Sequence, residues 1–242
     1  MKNWFKEWFD SPYYEELYSD RDNDEADNFI AALVGYLEIP RGSKALDLAC
    51  GNGRHALALY NCGMEVTGID LSFKMILQAK EFEVEKLSFY QHDMRHLFCI
   101  NYFDFVFNLF TSFGYFSSER ENSFAAKNLI LNLKKDGILV VDYFNKNYII
   151  NNLIKNEEQK FGENEYHIKR CINEDRVVKE ITVCTPGECI PYYETVKIYT
   201  LKEMCSTFEP FGVKLVEVLG DYQLSKFDEI KSPRMICIFK KH

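Results

Sequence analysis

Along this chain, short apolar runs alternate with stretches in which apolar residues recur at helical spacing. The first run ends at Asp47, the second spans 64–69 and ends at Asp70, and the third spans 88–92 and ends at Asp93. Between them, residues 54–60 and 71–80 read as amphipathic helices. Asn61-Cys62-Gly63 stops the first, and Ser72 opens the second as its N-cap. The run at 103–110 (Phe-Asp-Phe-Val-Phe-Asn-Leu-Phe) suits a parallel strand buried on both faces. A helix over 119–133, a turn at 134–137 and a strand over 138–143 follow. Upstream, 25–37 reads as a helix stopped by Pro40-Arg41-Gly42-Ser43, and Trp4, Phe5, Trp8 and Phe9 form one face of another. Strands and helices alternating in this way predict a parallel sheet with right-handed crossovers.

The rhythm changes near residue 146. Runs at 165–172, Arg176–Cys184 and 192–199, separated by short turns, predict an antiparallel meander inserted after the fifth strand. Thr200 and Glu203 then form a capping box that opens a helix over 200–211. Strands at 213–219 and 235–240 close the chain as an antiparallel pair. The organisation expected is an N-terminal helical cap segment (1–25), a main domain (26–145 and 200–242) and the β insertion (146–199), a lid or substrate wall.

Composition narrows the function. The chain has 242 residues, enough for one large α/β domain with a decoration, and no apolar run of membrane-spanning length. A formal net charge of −8 disfavours non-specific binding to a phosphate backbone. The 8 cysteines contain no C-x-x-C pair, so neither a zinc site nor a disulfide framework is expected, and the chain reads as a reduced, soluble, cytoplasmic protein.

The chemistry centres on 45–54, Ala-Leu-Asp-Leu-Ala-Cys-Gly-Asn-Gly-Arg, a strand followed by a glycine turn and a helix. Such a turn lets backbone approach a nucleotide closely. An acid precedes the glycines, and no third glycine completes the G-x-G-x-x-G of dinucleotide-binding domains. Asp70 lies about 20 residues on, where a ribose-binding acid is expected. This pattern resembles the class I S-adenosylmethionine-dependent methyltransferases, in particular bacterial small-molecule enzymes with a β insertion after strand five. Ala49 stands where that family's motif has its first glycine.

The resemblance implies a three-layer α/β fold with a mostly parallel, Rossmann-like sheet, an antiparallel C-terminal strand and a small antiparallel β insertion. It implies S-adenosylmethionine as cofactor and S-adenosylhomocysteine as product. Ala49, Gly51, Gly53 and Arg54 would surround the methionyl and ribose parts, with Asp47 accepting from the amino group and Asp70 from the ribose hydroxyls. Asp93 would accept the adenine amine, and Leu71, Met75 and Met94 would pack on the ring. Asn108 would face the methionyl end and the methyl, and Tyr18 and Arg21 would meet the carboxylate. Tyr115 and Tyr14 are the candidate catalytic residues, with Thr111, Phe113, Asp142 and Tyr143 also near the methyl; His92 and His96 read as structural. The expected reaction is in-line transfer to nitrogen or oxygen of a small molecule, by a monomer or homodimer and without a metal, membrane or nucleic-acid partner. The alternatives are a tRNA- or protein-directed methyltransferase, or a catalytically silent cofactor-binding module.

Overall fold

The computed structural model describes residues 4–18 and 23–242. The N-terminal aromatics form α1 (Trp4–Phe9), and a second short helix, α2 (Pro12–Leu17), follows with Ser11 as its N-cap. Next come α3 (Asn23–Tyr36), β1 (Lys44–Leu48), α4 (Arg54–Asn61), β2 (Glu65–Asp70), α5 (Phe73–Ala79), β3 (Leu87–Gln91), β4 (Phe103–Asn108), α6 (Glu119–Asn132) and β5 (Leu133–Phe144). After the small sheet described below, α8 (Leu201–Phe208), β10 (Val213–Leu219) and β11 (Arg234–Lys241) complete the main sheet.

That sheet has seven strands in the order β10-β11-β5-β4-β1-β2-β3. Strand β11 runs antiparallel to both neighbours, and the pairs among β1 to β5 are parallel. One face packs on α3, α4 and α5 through residues such as Ile30, Leu33, Leu59 and Ile76. The other packs on α6 and α8 through Ala125, Leu129, Met204 and Phe208. The result is the three-layer α/β architecture expected. The chain steps from β1 outward through β2 to β3, then returns to β4 on the other side of β1. That reversal opens a crevice beyond the carboxyl ends of the central strands.

The rest of the chain forms α7 (Lys146–Asn152) and a four-stranded antiparallel sheet, β6 (Asn156–Phe161), β7 (Asn164–Asn173), β8 (Arg176–Cys184) and β9 (Cys189–Lys197). The sequence reading found only three of these strands. Strand β6 reads Asn-Glu-Glu-Gln-Lys-Phe and shows no apolar alternation, because it is an edge strand held by its ladder to β7 and by ion pairs such as Arg170–Glu157 at 2.6 Å. The turn expected at 134–137 is also absent. Leu133 already pairs with Phe103, and the register shift before Phe105, with Asp136 at φ +62°, makes the segment a bulge within β5.

The expectation of fully reduced cysteines is corrected as well. Cys184 and Cys189 face each other across the β8–β9 ladder with Cα atoms 4.0 Å apart, and they are disulfide-bonded. Among the other cysteines, Cys237 lies in β11, and Cys50 and Cys99 lie in loops. Among the described residues, no helix is long and apolar enough to cross a membrane.

Candidate functional site

The crevice at the carboxyl ends of β1 and β2 holds a cavity of about 350 Å³. Its floor is the loop after β1, whose shape is set by backbone conformations that side chains resist. Ala49, Gly51 and Gly53 all have positive φ, at +65°, +56° and +87°. The amides of Ala49 and Cys50 both bond the Ile69 carbonyl, at 2.8 and 3.0 Å, so the loop folds back over β2. The family's glycine at position 49 therefore answers a left-handed backbone and not merely a need for small volume. Ala49→Gly is expected to stabilise the protein by about 0.5–1 kcal/mol, read by urea unfolding, because the strain removed exceeds the entropy that glycine adds to the unfolded chain.

Asp70 organises the next layer. Its Oδ2 accepts the Gly51 amide at 2.9 Å and its Oδ1 the Ser72 amide at 2.8 Å. Burial pushes its carboxyl up, and these amides oppose that shift. Asp47 is 1% exposed, and its Oδ2 has no hydrogen-bond partner although it lies in the wall of the cavity. Burial, together with the neighbouring Asp70, lifts its carboxyl to about 7, against the amide of Ala56 and the charge of Arg54. At Asp93, burial opposes the charge, but the Arg95 guanidinium bonds both carboxylate oxygens, at 3.1 and 2.6 Å among others, and holds the carboxyl below its usual range. Leu71, Met75 and Met94 supply apolar wall between these acids.

The opposite wall comes from the N-terminal helices and the loop after β4. Phe5, Phe9, Tyr14, Glu15 and Tyr18 line it from α1 and α2, and Phe110 and Tyr115 face them. Tyr115 packs edge-on against Trp4 at 5.6 Å between ring centroids. The structure thus brings Asp47, Ala49, Gly51, Arg54, Asp70, Leu71, Met75, Asp93, Met94, Tyr14, Tyr18 and Tyr115 around one cavity. Arg21 lies outside the described residues.

Seven expectations need correction. Gly53 does not line the cavity; a Cβ there would come within 2.9 Å of the Phe89 ring, so its bareness serves helix-to-sheet packing. Asn108 is fully buried and outside the cavity wall, where its amide donates to the carbonyls of Leu48 at 3.0 Å and Ser112 at 3.3 Å and ties the end of β1 to the loop after β4. Phe113 is core, and the Tyr143 hydroxyl is spent on the carbonyl of Lys197 at 2.5 Å. Asp142 and Thr111 bind Arg234 from β11, which closes this edge of the sheet off from the cavity. Phe110 ends no strand: β4 stops at Asn108, and Phe110 and Thr111 turn away with φ +57° and +62°.

The reading also missed residues that do line the cavity, among them Glu15, His55 and His92. His92 follows Asp70 in the ladder, since its amide donates to the Asp70 carbonyl at 2.7 Å. That adjacency to the third strand end was the available signal. Glu15 had none, because nothing local says which face of α2 turns inward.

The buried, unpartnered oxygen of Asp47 tests the fit of S-adenosylmethionine. It is a buried acceptor, on a residue of the cavity wall, that an ammonium group would satisfy, and the Asp70 carboxylate in the same wall can accept from hydroxyl groups. The residues present fit the group.

Comparison with known proteins points the same way. A family model described as a methyltransferase domain matches residues 39–203. The Bacillus subtilis protein YqeM is 34% identical over 132 residues, covering 53% of this chain and 51% of that protein. A dTDP-3-amino-3,4,6-trideoxy-α-D-glucopyranose N,N-dimethyltransferase of Streptomyces venezuelae is 25% identical over 168 residues, 67% of this chain and 70% of that enzyme. The chain spans about half the length of most of the curated relatives it matches. An S-adenosylmethionine-dependent methyltransferase of Clostridium acetobutylicum shares the fold with a TM-score of 0.77 at 18% identity, over 95% of this chain and 96% of that one. With the motif loop, the strand-end acids and the match over most of the domain in agreement, the chain belongs to the class I S-adenosylmethionine-dependent methyltransferase family.

Proposed function

We propose that this protein transfers a methyl group from S-adenosylmethionine to a nitrogen or oxygen of a small-molecule acceptor by in-line displacement. The observation that carries the reading is the unpartnered Asp47 oxygen in the same cavity as Asp70. The dimethyltransferase of Streptomyces venezuelae acts on an amino sugar, which supports a small amine as the acceptor class. The net charge of −8 supports an acceptor other than nucleic acid, and a monomer or homodimer acting in the cytoplasm completes the reading.

The bound cofactor supplies an electrophilic methyl group on a sulfonium centre. The protein's part is alignment and the exclusion of water. Asp47 would take the amino group and Asp70 the ribose hydroxyls, while Leu71, Met75 and Met94 would pack on the adenine ring and Asp93 would accept its amine. Tyr115 and Tyr14 orient the acceptor with their hydroxyls or hold a cationic amine on their ring faces. We assign residues 1–25 the role of a cap over the cofactor, 26–145 and 200–242 that of the binding domain, and 146–199 that of a substrate wall.

Calorimetry with S-adenosylmethionine, S-adenosylhomocysteine and NAD tests the cofactor. Micromolar binding of the first two but not of NAD is expected, weakened at least tenfold (about 1.4 kcal/mol) by Asp70→Ala. Methyl-labelled cofactor is then offered with small amines, hydroxy compounds and bulk tRNA. Label carried by tRNA and by no small molecule would overturn the acceptor class.

A further inference from the structure

The inner face of the small sheet carries a charged pair to which the proposed reaction gives no role. Lys179 and Glu194 are directly opposed across the β8–β9 ladder, with Nζ and Oε2 3.7 Å apart and side chains only 10% and 17% exposed. Neither lines the cavity. The N-terminal helices lie against them. Trp8, fully buried, donates its indole N–H to Glu194 Oε1 at 2.6 Å, and the Tyr18 hydroxyl donates to the same oxygen at 2.7 Å. Lys179 donates to the Tyr18 hydroxyl and sits 4.5 Å from the centre of its ring.

An apolar pair would hold this hairpin at least as well, because the desolvation of a buried ion pair offsets much of its attraction. What an apolar pair lacks is an acceptor for two donors on another element. One Glu194 oxygen fixes both Trp8 in α1 and Tyr18 at the end of α2, and Tyr18 is cavity wall. The other side of the same segment is tied to α5. Asp10 accepts the Ser72 hydroxyl, and Glu15 accepts from Gln78 at 2.5 Å and pairs with Lys74 at 3.0 Å. The segment is therefore strung between α5, which carries Met75 into the cavity, and the small sheet.

We infer that Glu194, with Lys179 as its counter-charge, is a positioning residue for the cofactor cavity: the small sheet sets cofactor affinity through Tyr18 and Trp8 without touching the ligand. The inference rests on the cofactor reading above. Two charge-free double variants test it, since neither strands a buried charge. Lys179→Met with Glu194→Gln keeps an acceptor oxygen, and Lys179→Met with Glu194→Leu removes it. The readouts are calorimetry with S-adenosylhomocysteine and, in a Trp4→Phe background without ligand, the emission of Trp8. The Gln variant is expected to bind within about threefold of the parent, and the Leu variant about tenfold more weakly, with Trp8 emission shifted only in the latter. Equal affinities and equal emission in the two doubles would overturn the inference and leave the cofactor reading intact. A parent protein that fails to bind S-adenosylhomocysteine would overturn both.

Discussion

Exchanging Asp142 for alanine is expected to lower the stability of the fold by about 3–5 kcal/mol, the cost of stranding a buried charge. Asp142 is fully buried and serves four donors. Its Oδ1 takes Arg234 through Nε and Nη2, both at 2.7 Å, and its Oδ2 takes the Phe110 amide at 2.9 Å and the Tyr222 hydroxyl at 3.1 Å. Its main-chain carbonyl also accepts the Thr111 amide at 2.9 Å. Removing the carboxylate leaves the Arg234 guanidinium, 17% exposed, facing the Phe110 and Tyr222 rings. It also removes the side-chain anchor of the Phe110 amide in a strained loop, where two consecutive non-glycine residues in the left-handed region cost about 1–2 kcal/mol each. Because Phe110 lines the cavity, affinity for S-adenosylhomocysteine should fall along with stability. Urea unfolding of Asp142→Ala and of the double variant Asp142→Leu/Arg234→Leu checks the argument. The double variant should recover most of the stability but not the affinity. A single-variant loss below about 1 kcal/mol would show that the ion pair is not what holds this edge.

Asp142 also marks where sequence reasoning stopped. It ends an apolar run just as Asp47, Asp70 and Asp93 do, and position along the chain alone cannot separate it from them. The difference lies more than 90 residues away, in the Arg234 that β11 brings back antiparallel over the same edge. The acids at the ends of β1, β2 and β3 were legible because those strands are consecutive and parallel, so their ends must share one edge. Gly53 was misread for a related reason, and the demand at position 49 was only half read. The reading treated bareness as room for a ligand, whereas Gly53 makes room for Phe89 and position 49 demands a backbone angle. Strand β6 was invisible because an edge strand held by charges lacks the period-two apolar signal. The Cys184–Cys189 bridge had a faint one, two cysteines flanking the turn at 185–188, but it becomes decisive only once β9 is known to begin at Cys189.

Asp47 should make cofactor affinity depend on pH near neutrality. Its carboxyl is raised from 3.8 to about 7, chiefly by burial and then by Asp70. For the free protein the sign is unfavourable to the charge. Between these values the folded state binds more protons than the unfolded one, so the stability Asp47 contributes is complete below about pH 4 and is lost as pH rises through about 7. The loss is of the order of 4 kcal/mol. Ligand binding runs the other way, because an ammonium group prefers the ionised carboxylate. Affinity for S-adenosylhomocysteine is therefore expected to climb as pH rises from 5.5 toward about 7. It should then level, and decline above about 8 as the ligand's own amino group loses its proton. Asp47→Asn keeps the shape and removes the charge. It should abolish the rise between pH 5.5 and 7, weaken binding about ten- to a hundredfold at pH 7.5 and make the free protein more stable at pH 8. Calorimetry across pH 5.5–9, paired with urea unfolding of both proteins, separates these effects. A parent affinity that stays flat through pH 6–7.5 would mean that the ligand's amino group lies elsewhere. Under the opposite outcome, a protein less stable when empty holds its cofactor best near neutral pH, through a buried carboxylate oxygen that its own fold leaves without a partner.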